Sequence, residues 1–299
     1  MPGYRYLEAK TIARLGRVQL VARGVVEGFL AGLHKSPHHG WSVEFSEHRE
    51  YVPGDPPRHI DWRALARTGR YYVKLFEDET NVRTHLLVDT SASMGYASPG
   101  TRFTKLEYAC YLAGAIAYLM IRQQDSVGLV TFDEARTSYL APRSVASHLG
   151  AVLERLEALR AGRRTDLART FHDVAEAIGR RGLIVIVSDL LDDEREVFRA
   201  LRHFRRKRHE VILFHVLDPA ETDFPFSRLA DFVDLETGER LQVDPRYVRA
   251  EYRREVEKFC SAYRADCAES RVEYVRVNTA VPIETMLGTF LARRSRRGA

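Results

Sequence analysis

Five consecutive branched apolar residues, Leu-Ile-Val-Ile-Val at 183–187, constrain the fold of this 299-residue chain more than any other segment. An apolar run of this length without polar alternation is typical of a β-strand that is covered on both faces. Similar apolar segments recur between longer helical patterns from residue 82 onwards. Strands that alternate with helices predict a parallel sheet packed between helices. We therefore predict an α/β fold with a mostly parallel central sheet.

The hydrophobic periodicity predicts two regions along the chain. In the second region, strands are expected at 82–88, 127–132, 137–140, 183–187, 211–216 and 272–277, and helices at 105–121, 145–159, 168–178, 197–204, 246–269 and 283–293. A hairpin that turns at Thr237-Gly238 is expected as an insertion near 229–245. Residues 1–80 predict a smaller α+β segment, with an amphipathic helix over 7–33 followed by short strands. The predicted main domain covers residues 81–299.

Charge and composition disfavour several classes of protein. The net charge of +5 comes from an arginine surplus, but neither of its two basic runs lies on a predicted recognition helix: the run 205–208 precedes a predicted strand, and the run 293–297 lies in a frayed tail. Solvated faces or an acidic protein partner fit these runs better. The sequence contains no apolar stretch long enough to span a membrane and no pattern of a secretory signal, so a cytoplasmic protein is expected. Cys110, Cys260 and Cys267 are expected to be buried thiols without a disulfide-linked partner.

The first strand of the predicted sheet is followed by a pattern of oxygen donors. Asp89, Ser91 and Ser93 alternate along the chain, so one carboxylate and two hydroxyls can point into the same small volume. In open parallel sheets, ligands bind at the carboxyl ends of the strands. Hard oxygen donors suit Mg²⁺ and not Zn²⁺ or copper. Serines after a strand also cap helices, so this pattern alone leaves both interpretations open.

Two further segments offer oxygen donors that could reach the same edge of the sheet. Thr165 lies in a predicted loop between two helices, and Asp189 follows the apolar strand 183–187. A carboxylate at that position could instead cap the next helix. Donors from three distant segments together favour a shared divalent ion.

The five positions Asp89, Ser91, Ser93, Thr165 and Asp189 resemble the metal-ion-dependent adhesion site (MIDAS) of von Willebrand factor A domains. The resemblance implies a Rossmann-like sheet, direct binding of Mg²⁺ or Mn²⁺ by the two serines, and binding by the other three residues directly or through water. It also implies one open position for a carboxylate of another protein. The match departs from the family pattern at Arg163 and Arg164, where glycines usually precede the threonine.

The segment before this domain resembles the signature of the bacterial family known as domain of unknown function 58. The residues that carry the resemblance are Arg49, Tyr51, Gly54, Asp55, Arg58, Asp61, Trp62 and Arg67. Members are similar to companions of MoxR-type AAA+ ATPases, which implies a chaperone-like role in assembling or activating a client protein. From the residues alone, ion pairs of Asp55 and Asp61 with Arg58 and Arg67 predict a structural role for this cluster.

The sequence predicts a non-catalytic, metal-dependent protein-binding adaptor, with two alternatives. The first is a Mg²⁺-dependent phosphatase or phosphotransferase with Asp89 as nucleophile, although Ser91 stands where such enzymes need a second aspartate as general acid. The second is a structural scaffold whose metal site is vestigial. No phosphate-binding loop with lysine and no G-x-S-x-G motif occurs in the sequence. Loop histidines His34, His38 and His39 are interpreted as solvated side chains.

Overall fold

The computed structural model describes residues 82–132, 137–162 and 167–298, together with Ala22, Val26, Leu65 and residues 48–50 and 69–74. The chain forms two compact units, one of residues 1–31 with 82–299 and one of residues 32–81. Of the helix predicted over 7–33, Ala22 and Val26 are described, and both are helical and buried. The predicted boundary between residues 80 and 81 stays a prediction.

The smaller unit contains a two-stranded antiparallel sheet. Strand β1 (His48–Glu50) pairs with strand β2 (Tyr72–Lys74), and Arg49 lies opposite Val73. The other seven signature residues lie outside the described part of the chain, as do the three loop histidines. The structural role that the sequence predicts for this cluster therefore stays a prediction.

The larger unit is built on a six-stranded sheet, and the predicted α/β fold with a mostly parallel sheet is confirmed. Its strands are β3 (Arg83–Asp89), β4 (Ser126–Phe132), β5 (Thr137–Arg143), β6 (Leu183–Ser188), β7 (Glu210–Leu217) and β10 (Glu273–Asn278). The order across the sheet is β10-β7-β6-β3-β4-β5. All neighbours pair in parallel except β5, which runs antiparallel to β4 at one edge.

Helices cover both faces of this sheet. The helices described after residue 82 are α1 (Lys105–Arg122), α2 (Ala146–Ala158), α3 (Leu167–Ala177), α4 (Glu194–Arg206), α5 (Pro219–Asp223), α6 (Pro245–Glu269) and α7 (Ile283–Gly298), and all of them except the short α5 contribute side chains to the two cores. Side chains from α1, α2 and α7 pack with Leu86 and Val88 in one core, and side chains from α3, α4 and α6 pack with Leu87 in the other. Successive residues of a strand point to opposite faces, so Leu86 and Val88 of β3 pack in one core and Leu87 packs in the other.

The order of the strands reverses direction at β3. The chain passes from β3 to β4 on one side and then returns to place β6 on the other side of β3. Such a switch point leaves a crevice at the carboxyl ends of the two strands that flank it. Residues that follow β3 and β6 therefore line the place where this fold usually binds ligands.

Short elements account for most differences from the predicted pattern. Helix α5 and a 3₁₀ turn (Ala92–Gly95) were not predicted, because one or two turns carry too little periodicity to be recognised. The predicted hairpin is present as β8 (Ala230–Val233) and β9 (Arg240–Val243), with Gly238 at a positive φ of 75° in its turn. The three cysteines are buried and free. Among the described helices, none has the length and apolar character needed to cross a membrane.

Gly182, just before β6, packs against the backbone of β3. A Cβ atom at this residue would lie 2.2 Å from the carbonyl oxygen of Arg83. We expect Gly182→Ala to lower the free energy of unfolding by about 1–3 kcal/mol, because backbone must move to admit the methyl group. Gly150→Ala is the control, since its Cβ meets nothing within 4 Å and lies inside α2. Urea unfolding should show this variant stabilised by about 0.5–1 kcal/mol, and equal effects of the two substitutions would contradict the packing described.

His85, in β3, predicts a dependence of stability on pH. Burial, reinforced by the charges of His209 and Arg83, lowers the pKa of His85 to about 4. Because the unfolded value is about 6.5, stability that depends on neutral His85 is complete above that pH and is lost as the pH falls towards 4. Between pH 7 and 4, wild type should lose up to about 3 kcal/mol more than His85→Gln in urea unfolding. Parallel pH profiles for the two proteins would show that His85 does not contribute.

Candidate metal site

Two buried carboxylates lie side by side at the switch point of the sheet. Asp89 ends β3, and Asp189 directly follows β6, which pairs in parallel with β3 through Val88 and Val187. Asp89 is 0% exposed and Asp189 is 1% exposed. The pairing of the two strands brings together residues that are 100 positions apart in sequence. The two carboxylates are therefore close enough to repel each other, whereas their sharing of an ion stays a prediction.

Asp89 is held by hydrogen bonds at both of its carboxylate oxygens. Its Oδ1 accepts a bond of 2.8 Å from the backbone N–H of Ser91, and its Oδ2 accepts one of 2.6 Å from the hydroxyl of Ser188. Among the described residues, no cationic side chain pairs with Asp89. Burial, followed by repulsion from Asp189, raises the pKa of Asp89 to about 7. The ionised form of this carboxyl is thus unfavourable unless positive charge is supplied.

The two predicted serine ligands lie next to Asp89 and close to each other. The hydroxyl oxygens of Ser91 and Ser93 are 3.0 Å apart, and both side chains are buried. The 3₁₀ turn that begins at Ala92 brings the second serine back towards the first. Gly95 ends this turn, where a Cβ atom would lie 2.9 Å from the Cβ of Ala161. The turn therefore packs directly against the chain that leads to Thr165.

Thr165 itself lies outside the described residues, but the residues that flank it are fixed near the same strand ends. Before it, the N–H of Gly162 donates a hydrogen bond of 2.7 Å to the carbonyl oxygen of Thr90. After it, the N–H of Leu167 donates one of 2.7 Å to Oδ2 of Asp192, in the loop between β6 and α4. Whether Thr165 joins Asp89 and the serines stays a prediction.

Asp189 has a cationic partner that the sequence did not suggest. The ammonium of Lys105, the first residue of α1, is 2.7 Å from Asp189 Oδ2 and 2.5 Å from Glu221 Oε1. The lysine side chain is completely buried. Burial opposes its charge, but the attraction of the two carboxylates prevails and raises the pKa of Lys105 above its ordinary value. A charged residue in a helix as apolar as α1 was the available signal, since a buried ammonium requires a buried partner.

Glu221 is fixed at its second oxygen as well. Its Oε2 accepts a hydrogen bond of 2.7 Å from the N–H of Asp218, which precedes the short helix α5. Asp218 is also buried, and its carboxylate accepts bonds from the N–H groups of Ala220 and Ser98 at 2.8 and 3.0 Å. The loop after β7 is thereby tied to the loop after β3. Both Asp218 and Glu221 escaped the sequence prediction, because their partners are more than 100 residues away.

Ser188 is a further residue that the sequence analysis did not assign to the site. Besides donating to Asp89, its hydroxyl accepts a hydrogen bond of 2.9 Å from the N–H of Leu190. Leu190 adopts a left-handed backbone with a φ of 60° and is fully buried. Non-glycine residues seldom adopt this conformation unless the surrounding contacts impose it. The sharp turn after β6 is therefore held in place by Ser188.

The donor set of this cluster fits a hard divalent cation. Asp89, Ser91, Ser93 and Asp189 offer oxygen atoms. Burial and repulsion from Asp189 raise the pKa of Asp89, so a bound cation would stabilise its ionised form. In the described part of the chain, no group of three or more His, Cys, Asp or Glu side chains is arranged to hold a metal. A metal at this position would therefore depend on the serine hydroxyls in addition to the carboxylates.

A cleft of about 470 Å³ opens beside the cluster. Ser93 and Glu221 line it at the site, and aromatic side chains line it farther away. Phe224 packs against Tyr252 with ring centroids 4.3 Å apart and stacks on Phe232 of the hairpin at 5.5 Å. The hairpin thus contributes a wall to a surface that begins at the predicted metal ligands.

Comparisons with known proteins agree with the predicted family. The family model described as "Protein of unknown function DUF58" matches residues 47–260. An uncharacterized protein of Mycobacterium tuberculosis is 29% identical over 268 residues, which cover 88% of this chain and 82% of that protein.

Two solved structures are similar at lower identity. Conserved hypothetical protein BatB from Bacteroides thetaiotaomicron is 16% identical with a TM-score of 0.47, covering 72% of this chain and 99% of that chain. The VWA domain of SpRpn10 is 11% identical with a TM-score of 0.38, covering 72% of this chain and 95% of that domain. Both likenesses concern the fold alone, and nothing about binding follows from them.

The two carboxylates should respond in opposite ways to loss of charge when EDTA removes divalent ions. At pH 8, Asp89→Asn removes a buried charge that has no cationic partner among the described residues, and it should raise the free energy of unfolding by about 1–3 kcal/mol. Asp189→Asn deprives buried Lys105 of a partner and should lower it by about 2–4 kcal/mol. Urea unfolding measures both effects. A loss of stability in Asp89→Asn as large as in Asp189→Asn would contradict the electrostatics described here.

Proposed function

Since the chain belongs to the family described as Protein of unknown function DUF58, whose description names no activity, we propose a function from the chain's own site. The proposed function is that of a non-catalytic adaptor that binds a protein partner through a divalent ion. The observation that carries the proposal is the cluster of Asp89, Ser91, Ser93 and Asp189 at the switch point of the sheet. The cluster buries two carboxylates, and Asp89 has no cationic partner among the described residues.

In the proposed mechanism, the chain supplies a preorganised set of oxygen ligands. The hydroxyls of Ser91 and Ser93 would bind Mg²⁺ or Mn²⁺ directly, with Asp89, Thr165 and Asp189 binding directly or through water. When bound, the ion would supply an octahedral centre with one position for a carboxylate oxygen of the partner. Ser188 and the N–H of Ser91 orient the Asp89 carboxylate, so this residue needs little rearrangement to bind the ion.

The cleft beside Ser93 supports binding of a protein rather than of a free carboxylate. Its wall includes the exposed side chains of Val233 and Leu235 and the partly buried ring of Tyr252, which offer apolar area next to the predicted ion. Aromatic side chains at the centre of a surface commonly supply much of the binding free energy in protein interfaces. An acidic residue of the partner at the ion and an apolar residue in the cleft would together fix its orientation.

The surroundings of Asp89 disfavour the phosphatase alternative, whereas those of Asp189 favour the alternative of a scaffold with a vestigial site. A nucleophilic aspartate must reach its substrate, whereas Asp89 is fully buried and both its oxygens accept hydrogen bonds. Ser91 also stands where a phosphatase of this type needs its general acid. A scaffold with a vestigial site is the second candidate, and the buried pair of Lys105 with Asp189 favours it, since that ammonium already supplies positive charge. Titration with metal distinguishes this candidate.

The partner that we propose is a MoxR-type AAA+ ATPase, with a client protein that the pair assembles or activates. This part of the proposal rests on the resemblance of the family to companions of such ATPases. The proposed compartment is the cytoplasm, because three free, buried cysteines suit a reducing environment. The proposal includes no nucleic acid and no membrane span.

Calorimetric titration with MgCl₂ tests the metal site directly. Wild type should give saturable heat, whereas Asp89→Asn should give none, because the removed carboxylate is a ligand. Asp173→Asn is the matched control, since Asp173 is exposed on α3 and is not one of the proposed ligands. Saturable heat from wild type and the control only would support the proposal. Equal titration curves for wild type and Asp89→Asn, with or without heat, would refute it.

Co-purification with the MoxR-type ATPase of the same organism tests the adaptor role. Capture should require Mg²⁺, fail in EDTA and fail with Asp89→Asn, while Asp173→Asn should behave as wild type. Capture that is indifferent to EDTA and to Asp89→Asn would remove the ion from the interaction.

A further inference from the structure

Lys105 is the one cationic side chain that the described structure places against the proposed metal ligands. Its ammonium contacts Asp189 Oδ2 at 2.7 Å and Glu221 Oε1 at 2.5 Å, and the side chain is fully buried. The capping box at Thr104 and Glu107 fixes the start of α1, so the lysine enters the site from a rigid helix end. A charge held in this way acts on the site at short range and with little screening.

The ammonium and a divalent ion would need the same carboxylate. Asp189 Oδ2 is already bonded to Lys105, and within the described residues its Oδ1 has a single long contact, of 3.4 Å, with the N–H of Leu191. Positive charges this close repel each other strongly in a buried site. An ion that used Asp189 would therefore weaken the Lys105–Asp189 pair.

Glu221 gives the ammonium a second place of attachment. Glu221 is fixed through Oε2 to the N–H of Asp218, and its Oε1 faces Lys105. The ammonium can therefore stay paired with Glu221 when Asp189 turns to another cation. The negative charge of Glu221 also offsets the charge of the lysine, which moderates its repulsion of an ion.

We propose that Lys105 is an internal counter-ion that competes with the divalent ion for Asp189 and thereby regulates occupancy of the metal site. This inference rests on the proposed metal-binding function. In the absence of metal, the lysine neutralises Asp189 and keeps the site folded. When an ion binds, the ammonium of Lys105 stays paired with Glu221 alone. Because the ion must displace the lysine from Asp189, the affinity of the site for the ion is lower than it would be without the lysine. A carboxylate from the partner adds the negative charge that favours the ion over the lysine.

The geometry also connects this competition to the partner surface. Glu221 lies in α5 and lines the cleft beside Ser93, with Phe224 directly after the helix. A partner in the cleft would lie against the residue that retains the ammonium. Binding of the ion and binding of the partner would then favour each other, since each stabilises the same pairing of Lys105.

Substitutions on the two sides of the lysine separate competition from a purely structural role. Lys105→Met removes the competing cation, so calorimetric titration with MgCl₂ should show affinity increased by about ten-fold or more. Glu221→Gln removes the anion that offsets the lysine, so affinity should fall by roughly three- to ten-fold. Lys258→Met is the matched control, since Lys258 is exposed on α6 and should leave the affinity unchanged. Circular dichroism establishes that each variant is folded.

The outcomes distinguish this inference from the proposed function. Metal binding by wild type with unchanged or weaker binding by Lys105→Met would overturn the inference and leave the metal site standing. Binding by Lys105→Met but not by wild type would support competition and contradict metal binding by the native site. If Lys105→Met folds only with Mg²⁺, that rescue supports the competition, because the ion then replaces the ammonium. If Lys105→Met does not fold at all, the titration of Glu221→Gln tests the inference instead. Unchanged or tighter binding of Mg²⁺ by Glu221→Gln would then overturn the inference.

Discussion

Parallel pairing of β3 with β6 is the constraint from which the site follows. Both strands lie in the middle of the sheet and are buried on both faces, so their ends are removed from water. Asp89 is the last residue of β3, and Asp189 directly follows β6. Burial makes their ionised forms unfavourable, and the other polar contacts of the site partly offset this cost.

The two carboxylates are compensated in different ways. Asp189 is paired with buried Lys105, whereas Asp89 receives hydrogen bonds from Ser188 and Ser91 and has no cationic partner in the part of the chain that the structure describes. Buried charges that are only partly compensated are unfavourable for stability and are characteristic of functional sites. The incomplete compensation of the Asp89 charge is therefore the physical basis for proposing that a cation completes the cluster.

Much of the sheet could be predicted from the sequence, because a strand that is covered on both faces is a continuous run of apolar residues. The run 183–187 is fully apolar and forms most of β6, and the residues after β3 lie where the alternation of Asp89, Ser91 and Ser93 suggested. Contacts between distant segments leave no such record. Lys105 is 84 residues from Asp189 and 116 from Glu221, so sequence spacing could not join them. Ser188 is adjacent to Asp189 in the sequence, but its hydrogen bond to Asp89 depends on the register of β6 against β3, which the sequence does not reveal.

A crystal soaked in MnCl₂, with anomalous diffraction measured at the manganese edge, tests the central claim most directly. The account predicts an anomalous peak within bonding distance, about 2.1–2.3 Å, of the hydroxyl oxygens of Ser91 and Ser93, with the carboxylates of Asp89 and Asp189 around it. A map without a peak at these oxygens, with the Lys105–Asp189 pair intact at saturating manganese, would contradict it.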